Sequence, residues 1–334
     1  MKDSADRVYL RRALSLARLS EGDTHPNPPV GAVVVLDGKV IGQGRHRQAG
    51  GAHAEVEAIG SCGGRPAGGT LYVTLEPCST YGRTPPCSEL ILRSGIRRVV
   101  VGCIDPNPKH AGRGIDQLRA AGLAVEVLED KACRELIEPF AKRMLTGIPY
   151  VTLKLALTLD GAIADRKGCS KWITGEASRA FVQRLRKRAD AVMVGAGTVR
   201  ADDPSLLCRL PHRVARRRIV IGSIPPASRA LTDGAKDATT VFEGAPDLGL
   251  VLRQLGAEGV QHILCEGGGR LAGALVDGGW VDRLLLFQAP VLLNDEGARP
   301  AFAGMGTLLA DAYHFRLAGV RRFGADVLLD YRCR

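Results

Sequence analysis

One stretch restricts the fold more than any other. It reads H-A-E at 53–55, T-L-Y-V-T-L at 70–75 and P-C-S-T-Y-G-R-T-P-P-C at 77–87. His53, Cys78 and Cys87 offer one imidazole and two thiolates, the borderline and soft donors that suit a tetrahedral Zn²⁺ with its fourth position open to water. The apolar, β-branched run at 70–75 predicts a buried strand, which puts Cys78 in the loop just past the strand's end. Cys87 then opens a helical run over 88–94 that Gly95 stops. A helix N-terminus favours the thiolate that a metal needs. The surrounding chain should therefore alternate strands and helices, with its donors at strand ends and helix starts.

Three protein donors make the count of a catalytic site. A structural zinc normally has four, and the remaining alternative is buried unpaired thiols beside a surface His and Glu. Glu55, two residues past the histidine, is the natural proton carrier. Water acidified by a metal can attack an amidine-like carbon, but the leaving amine must be protonated. H-x-E followed by P-C-x-x-C, with the Glu not a ligand, is the pattern of zinc nucleobase deaminases. Here eight residues separate the cysteines instead of two.

At 334 residues and 45% apolar composition, the chain reads as two domains with separate cores. Aromatic residues make up only 4%, which argues against stacking platforms for single-stranded nucleic acid, so no nucleic-acid partner is expected. The net charge of +11 suits nucleic acid, anionic small molecules or solubility alone. Its densest run, R-V-A-R-R-R at 213–218, precedes an expected strand and reads as a solvated face. Nine cysteines without regular spacing do not form a disulfide framework, and M-K-D-S-A-D-R at the start has no apolar signal segment. A reducing cytoplasm is the expectation. The most apolar run, 284–293, is short and contains Gln288 and Pro290, so no membrane partner is expected.

Along the chain, 6–19 has a helical apolar pattern, and T-H-P-N-P-P-V-G at 24–31 is a loop leading into a strand at 32–36. Asp37-Gly38 turns the chain back for a strand at 40–42. Asn27, between prolines, has its amide rigidly aimed or is a turn asparagine. Strands follow at 98–103 and 124–128, with helices within 114–121 and over 131–144. The pattern predicts an α/β sandwich with a mixed sheet. L-T-G-I-P at 145–149 is the linker, giving domains 1–146 and 147–334. The second half holds a strand at 150–157, a turn at Asp160-Gly161, a helix at 176–187 and strands at 191–194, 218–221, 261–265, 283–287 and 326–330. Two glycine clusters, 195–198 and E-G-G-G-R at 266–270, each follow a strand. They bring backbone amides close to phosphates or are ordinary turn glycines, and neither is G-x-G-x-x-G.

H-A-E, E-P-C-S-x-x-G-R-T-P-P-C, D-P-N-P, L-K-L-A-L-T-L-D-G, S-K-W-I-T-G, G-A-G-T-V-R-A-D-D-P and E-G-G-G-R-L-A-G-A-L occur in this order. As a set they closely resemble the bifunctional riboflavin-biosynthesis deaminase-reductase family over nearly the whole chain. The resemblance implies a cytidine-deaminase-like three-layer domain followed by a dihydrofolate-reductase-like α/β domain. The first would deaminate a diaminopyrimidine ribose phosphate; the second would use NADPH to reduce its ribosyl group to ribityl. It places the zinc ligands on His53, Cys78 and Cys87 and the proton shuttle on Glu55. Substrate contacts fall on Asn27, Arg83 and Asn107, with His46 a further carry-over. NADPH contacts fall on Ala156, Trp172, Thr198, Asp202, Ser223, Gly268, Gly269, Arg270, Leu271, Ala272, Gly273 and Ala274. The reductase substrate would meet Ser170, Arg186, Leu206, Arg209 and Glu266, the arginines suiting the ribose phosphate through bidentate bonds. A homo-oligomer, dimer or tetramer, is also implied.

This chain departs from the family pattern at three places. Thr80 stands where C-S-H is frequent, Ile221-Gly222-Ser223 where I-D-S is common, and Arg270 where a small polar residue is usual. Without the resemblance, Trp172 reads as a core residue, Thr198 as a cap, and Arg83, Arg186 and Arg209 as surface arginines. The competing functions are a deaminase with a degenerate second half, an RNA-acting nucleobase deaminase, and a structural-zinc scaffold.

Overall fold

The computed structural model describes residues 2–63, 66–81, 85–210 and 217–333. The chain divides into two compact units, Met1–Thr146 and Gly147–Arg334.

The first unit runs α1 (Lys2–Arg18), β1 (Gly31–Leu36), β2 (Lys39–Arg45), α2 (Ala54–Ser61), β3 (Thr70–Val73), α3 (Cys87–Arg93), β4 (Arg98–Val101), α4 (Arg113–Ala120), β5 (Ala124–Val127), α5 (Lys131–Leu136) and α6 (Glu138–Thr146). Its sheet has the order β2-β1-β3-β4-β5. β1 is antiparallel to β2 and β3, while β3, β4 and β5 are parallel, so the sheet is mixed as the alternation predicts. Asp37 and Gly38, at φ 49° and 74°, close the β1–β2 hairpin. The central strands are apolar throughout because both faces are covered. Val34, Leu71, Val73 and Val99 meet Ile59 of α2, Ile91 of α3 and Leu118 of α4 on one side. Val33, Val35, Tyr72 and Val100 meet Ala13 of α1 on the other. Asp6 pins α1 to the sheet by accepting from Tyr72 Oη at 2.7 Å and from both Arg98 terminal nitrogens at 2.8 and 2.7 Å. The single helix expected over 131–144 is two, α5 and α6. Pro139 has no N–H to continue the ladder across the junction.

The second unit contains β6 (Tyr150–Leu157), β7 (Ala162–Ala164), α7 (Glu176–Arg188), β8 (Ala191–Gly195), α8 (Ala196–Asp202), β9 (Arg217–Ile221), α9 (Arg229–Thr232), β10 (Thr239–Phe242), α10 (Leu248–Ala257), β11 (His262–Cys265), α11 (Gly269–Asp277), β12 (Arg283–Gln288), β13 (Arg299–Pro300), β14 (Phe315–Phe323) and β15 (Asp326–Cys333). The large sheet has the order β10-β9-β8-β11-β6-β12-β15-β14. Its first six members are mutually parallel; β15 is antiparallel to β12, and β14 is in turn antiparallel to β15. After β8 the chain steps outward to β9 and β10, then returns to place β11 between β8 and β6. That reversal leaves a crevice at the C-terminal ends of β8 and β11, where open α/β sheets bind ligands. Leu153, Met193 and Ile263 pack with Leu252 of α10 and Leu275 of α11 on one face. Leu264, Leu285 and Phe287 pack with Phe181 and Leu185 of α7 on the other.

Strands β7, β10, β13 and β14 are not expected from the sequence. β14 is an edge strand, mostly exposed, with a register shift between Leu317 and Gly319, so its apolar alternation is broken. The basic run at 213–218 is also corrected. Arg218 is fully buried, not solvated: it meets Asp233 through two 2.8 Å bonds and also donates to Thr239 Oγ1, Ser205 O and Ala230 O. A buried guanidinium is tolerated when its donors are all met in this way. Residues 213–216 lie outside the described residues. Among the described residues no helix is long and apolar enough to cross a membrane.

Candidate active sites

In the first unit, His53 is the N-cap of α2, Glu55 lies in that helix's first turn, and Cys87 is the first residue of α3. Cys78 follows the end of β3 by a short loop. The ligand atoms of His53, Cys78 and Cys87 all lie within 4.8 Å of one another. His53 Nδ1 is 3.2 Å from Cys87 Sγ and 3.6 Å from Cys78 Sγ. A thiolate and an imidazole sharing one tetrahedral zinc stand about 3.6 Å apart, given bond lengths near 2.3 and 2.0 Å. The donor set and its spacing therefore fit zinc with one position to spare.

The electrostatics separate the two thiols. A hydrogen bond from Cys87 holds Cys78 down to about 4, aided by His53, and the Cys87 backbone N–H also reaches Cys78 Sγ at 3.3 Å. The same contact, with burial, pushes the Cys87 thiol up. His53 is raised chiefly by its bond to Cys78. Glu55 is buried, and desolvation, reinforced by the negative Cys78, pushes its carboxyl up to about 7. A carboxyl that gains and loses a proton near neutrality is suited to proton transfer.

Asn27 and His46 come together. Asn27 Nδ2 lies 3.0 Å from His46 Nε2, whose Nδ1 lies 2.9 Å from Ala52 O. The His46 ring stands edge-on to His53 at 5.3 Å. Asn107 closes its own turn, its Oδ1 accepting from the Lys109 N–H at 3.1 Å. Arg83 lies outside the described residues. Thr80, the departure in the cysteine loop, has its hydroxyl 3.4 Å from His110 Nδ1.

Sequence reasoning missed Glu76. Buried two residues before Cys78, its carboxylate accepts from the backbone N–H groups of Asp105 (3.1 Å), Gly112 (2.9 Å), Gly114 (2.9 Å) and Ile115 (3.4 Å). It ties the Cys78 loop to the D-P-N-P loop and to the start of α4. The E-P-C triplet was its only local signal.

In the second unit a cavity of about 1850 Å³ runs along the C-terminal ends of the parallel strands. Its wall includes Ala156, Ser170, Trp172, Thr198, Asp202, Leu206, Arg209, Ser223, Gly268, Gly269, Arg270, Leu271 and Ala274, all named from the sequence. The two glycine clusters meet there. Gly195 N–H donates to Gly267 O at 3.1 Å, and a side chain at Gly268, φ 44°, would sit 3.1 Å from Thr198 Oγ1. Ser170 Oγ donates to the Asp202 carboxylate. Trp172 is no core residue: it is 67% exposed, with the Arg179 guanidinium 4.7 Å from its ring centroid. Thr198 is not a cap, since Gly195 holds the N-cap position of α8.

Two named residues do not reach the cavity. Ala272 is fully buried in the core, and Gly273 faces the Ala303–Gly304 backbone so closely that a Cβ would come within 2.4 Å of Gly304 N. Arg186 and Glu266 both line the cavity and pair with each other. Arg186 is buried and Glu266 nearly so, and they bind each other, Nε to Oε1 at 2.5 Å and Nη2 to Oε2 at 3.0 Å, while Nη1 donates to Leu207 O. Arg186 thus lines the cavity with its fork engaged by Glu266. Lys154, a lone cation in the apolar run of β6, lines the same cavity and was also missed. Burial lowers its pKa, and the Glu266 charge opposes that shift.

Residues 149–329 match the family described as RibD C-terminal domain, and residues 3–103 match the cytidine and deoxycytidylate deaminase zinc-binding region. The riboflavin biosynthesis protein RibD of Bacillus amyloliquefaciens is 42% identical, with 97% of this chain and 95% of that protein covered. The chain belongs to the RibD family. The solved structure of Acinetobacter baumannii RibD shares 35% identity at a TM-score of 0.89, covering 98% of this chain and 99% of that one. A Thermotoga maritima structure, named diaminohydroxyphosphoribosylaminopyrimidine deaminase/5-amino-6-(5-phosphoribosylamino)uracil reductase, gives 33% and 0.90 with full coverage of both chains. Like other RibD proteins, the chain is a bifunctional deaminase-reductase of riboflavin biosynthesis, acting on a small-molecule substrate of that pathway. Its first unit is cytidine-deaminase-like and takes zinc; its second is dihydrofolate-reductase-like and takes NADPH. The cavity fits a dinucleotide: two glycine segments stand at the starts of α8 and α11, where backbone amides can approach a pyrophosphate.

Proposed function

We propose that the first unit hydrolytically deaminates 2,5-diamino-6-(5-phosphoribosylamino)pyrimidin-4(3H)-one and that the second reduces the ribosyl side chain of the resulting aminouracil to ribityl with NADPH. The observation that carries this reading is the convergence of His53, Cys78 and Cys87 beside the buried Glu55. His53, Cys78 and Cys87 would hold the zinc, which would supply an acidified water as nucleophile. Glu55 carries a proton from the attacking side to the departing amine. Asn27, oriented by His46, meets the base and ribose, with Asn107 and Arg83 as further substrate contacts.

In the reductase unit, Ala156, Trp172, Thr198, Asp202, Ser223 and the start of α11 hold the cofactor, which supplies the hydride. Ser170, Leu206 and Arg209 meet the substrate, and Arg186 holds Glu266 in place beside it. The assembly is a dimer or tetramer. β14 is a nine-residue edge strand with Leu317 and Val320 exposed, and the same unit exposes Met305, Leu308 and Leu309. A solution mass of a single chain by light scattering would reject that assembly.

The deciding experiment uses Glu55→Gln in the full chain, with products identified by mass spectrometry. Deamination should fall by roughly 100- to 10,000-fold, with one zinc retained per chain and reduction of the aminouracil substrate intact. Undiminished deamination by the variant rejects the assignment.

A further inference from the structure

NADPH and NADH differ only by the phosphate on the adenosine 2′-oxygen, so a reductase that takes NADPH needs a group to read it. The cavity extends from Ala156 at the end of β6, past Gly268 after β11 and Gly195 after β8, to Ile221 and Ser223 at and just past the end of β9. Given the cofactor placement proposed above, the nicotinamide lies by Ala156 and the pyrophosphate by the glycine segments. The adenosine ribose then falls at the end of β9.

We infer that Arg200, together with the Ser223 hydroxyl, binds the cofactor's 2′-phosphate and sets the preference for NADPH. Arg200 projects from α8 into the cavity wall, and its Nη1 donates to Ser223 O at 2.7 Å. That bond uses one of five donors and fixes the guanidinium at the strand end. Ser223 Oγ accepts from the Gly244 N–H at 3.3 Å, so the hydroxyl keeps its own proton for an anion. Between them position 222 is glycine at φ 99°, where a Cβ would come within 3.0 Å of the Ala196 Cβ. An arginine at such a strand end accommodates a 2′-phosphate. Arg200 stands at this strand end, and Gly222 occupies the position where the family commonly has an aspartate. The acidic residues that end α8 point elsewhere: Asp202 accepts from Ser170, and Asp203 accepts from the Arg229 N–H.

The test is equilibrium binding to the full chain without turnover. Isothermal titration calorimetry compares NADPH, NADH, 2′,5′-ADP and 5′-ADP on the wild type, Arg200→Gln, Arg200→Lys and Arg270→Gln. In Arg200→Gln the Kd for NADPH and 2′,5′-ADP should rise roughly ten- to a hundredfold, while NADH and 5′-ADP stay within about twofold. Lysine should restore part of the preference, which separates lost charge from lost structure. Unweakened NADPH binding in Arg200→Gln, or a preference lost in Arg270→Gln instead, overturns the assignment. A wild-type chain that binds neither dinucleotide would overturn the cofactor placement as well, and so the two failures are told apart.

Discussion

Glu76 provides the sharpest test of how the first unit is held together. Its carboxylate meets four backbone N–H groups, three of them within 3.1 Å, and none of those amides belongs to its own loop. A hydrogen bond to a charged group contributes about 1.5–3 kcal/mol. Truncation lets water back to some of these amides, so the lower figure applies, and three such bonds give about 4.5 kcal/mol for Glu76→Ala. Glutamine keeps one acceptor oxygen but turns an NH₂ toward the other donors, for about 2 kcal/mol. At roughly 3 °C per kcal/mol for a unit of this size, alanine should lower the first unit's Tm by about 10 °C or more. Both tryptophans, Trp172 and Trp280, lie in the second unit, so their fluorescence serves as an internal control that should not move. Circular dichroism melts monitored beside tryptophan emission resolve the two transitions. Gly114 supplies an independent arm: a Cβ there would lie 2.0 Å from Pro77 O, so Gly114→Ala should destabilise the same unit. A Tm for Glu76→Ala within about 2 °C of wild type, with zinc affinity unchanged, would refute the reasoning.

Two further outcomes follow from the second unit. Replacing Glu266 alone by Leu strands a buried arginine and should cost about 3–5 kcal/mol, whereas Arg186→Met with Glu266→Leu should recover much of that stability without restoring reduction; calorimetry of the double-mutant cycle decides, and strict additivity would sink the idea. Burial holds His262 down to about 4, so it stays neutral in the folded unit while the unfolded chain takes up its proton near 6.5. Its contribution is fully present above about 6.5 and is lost as pH falls toward about 4, by up to about 3 kcal/mol. Denaturant melts followed by tryptophan emission should show that slope in the wild type and a flatter one in His262→Gln.

The features legible in the sequence are those whose chemistry demands a residue type at short spacing. His53 and Glu55 share one helix turn, and Cys78 and Cys87 flank one loop, so donor identity alone pointed to the metal. The D-G turn and the paired glycine clusters were legible for the same reason, since backbone geometry restricts what can stand there. Glu76, Arg218 and the Arg186–Glu266 pair were not. Their partners lie 29–39, 12–21 and 80 positions away, so nothing in the local composition separates them from solvated charges. β14 escaped because an exposed edge strand with a register shift has no buried face to impose a period of two.

These long-range charged contacts explain how so basic a chain builds two polar sites without exposing their frames to water. Three parts of the sites named from local pattern rest on a polar partner supplied from elsewhere in their unit. Glu76 anchors the loop before Cys78, His46 aims Asn27, and Arg186 holds Glu266. An unpaired buried charge costs several kcal/mol, so such partners must be present together or not at all. A substitution at a supporting residue should therefore cost both stability and activity, whereas one at Glu55 should cost activity alone. The Glu76 and Glu55 variants, assayed in the same chain, test that division directly.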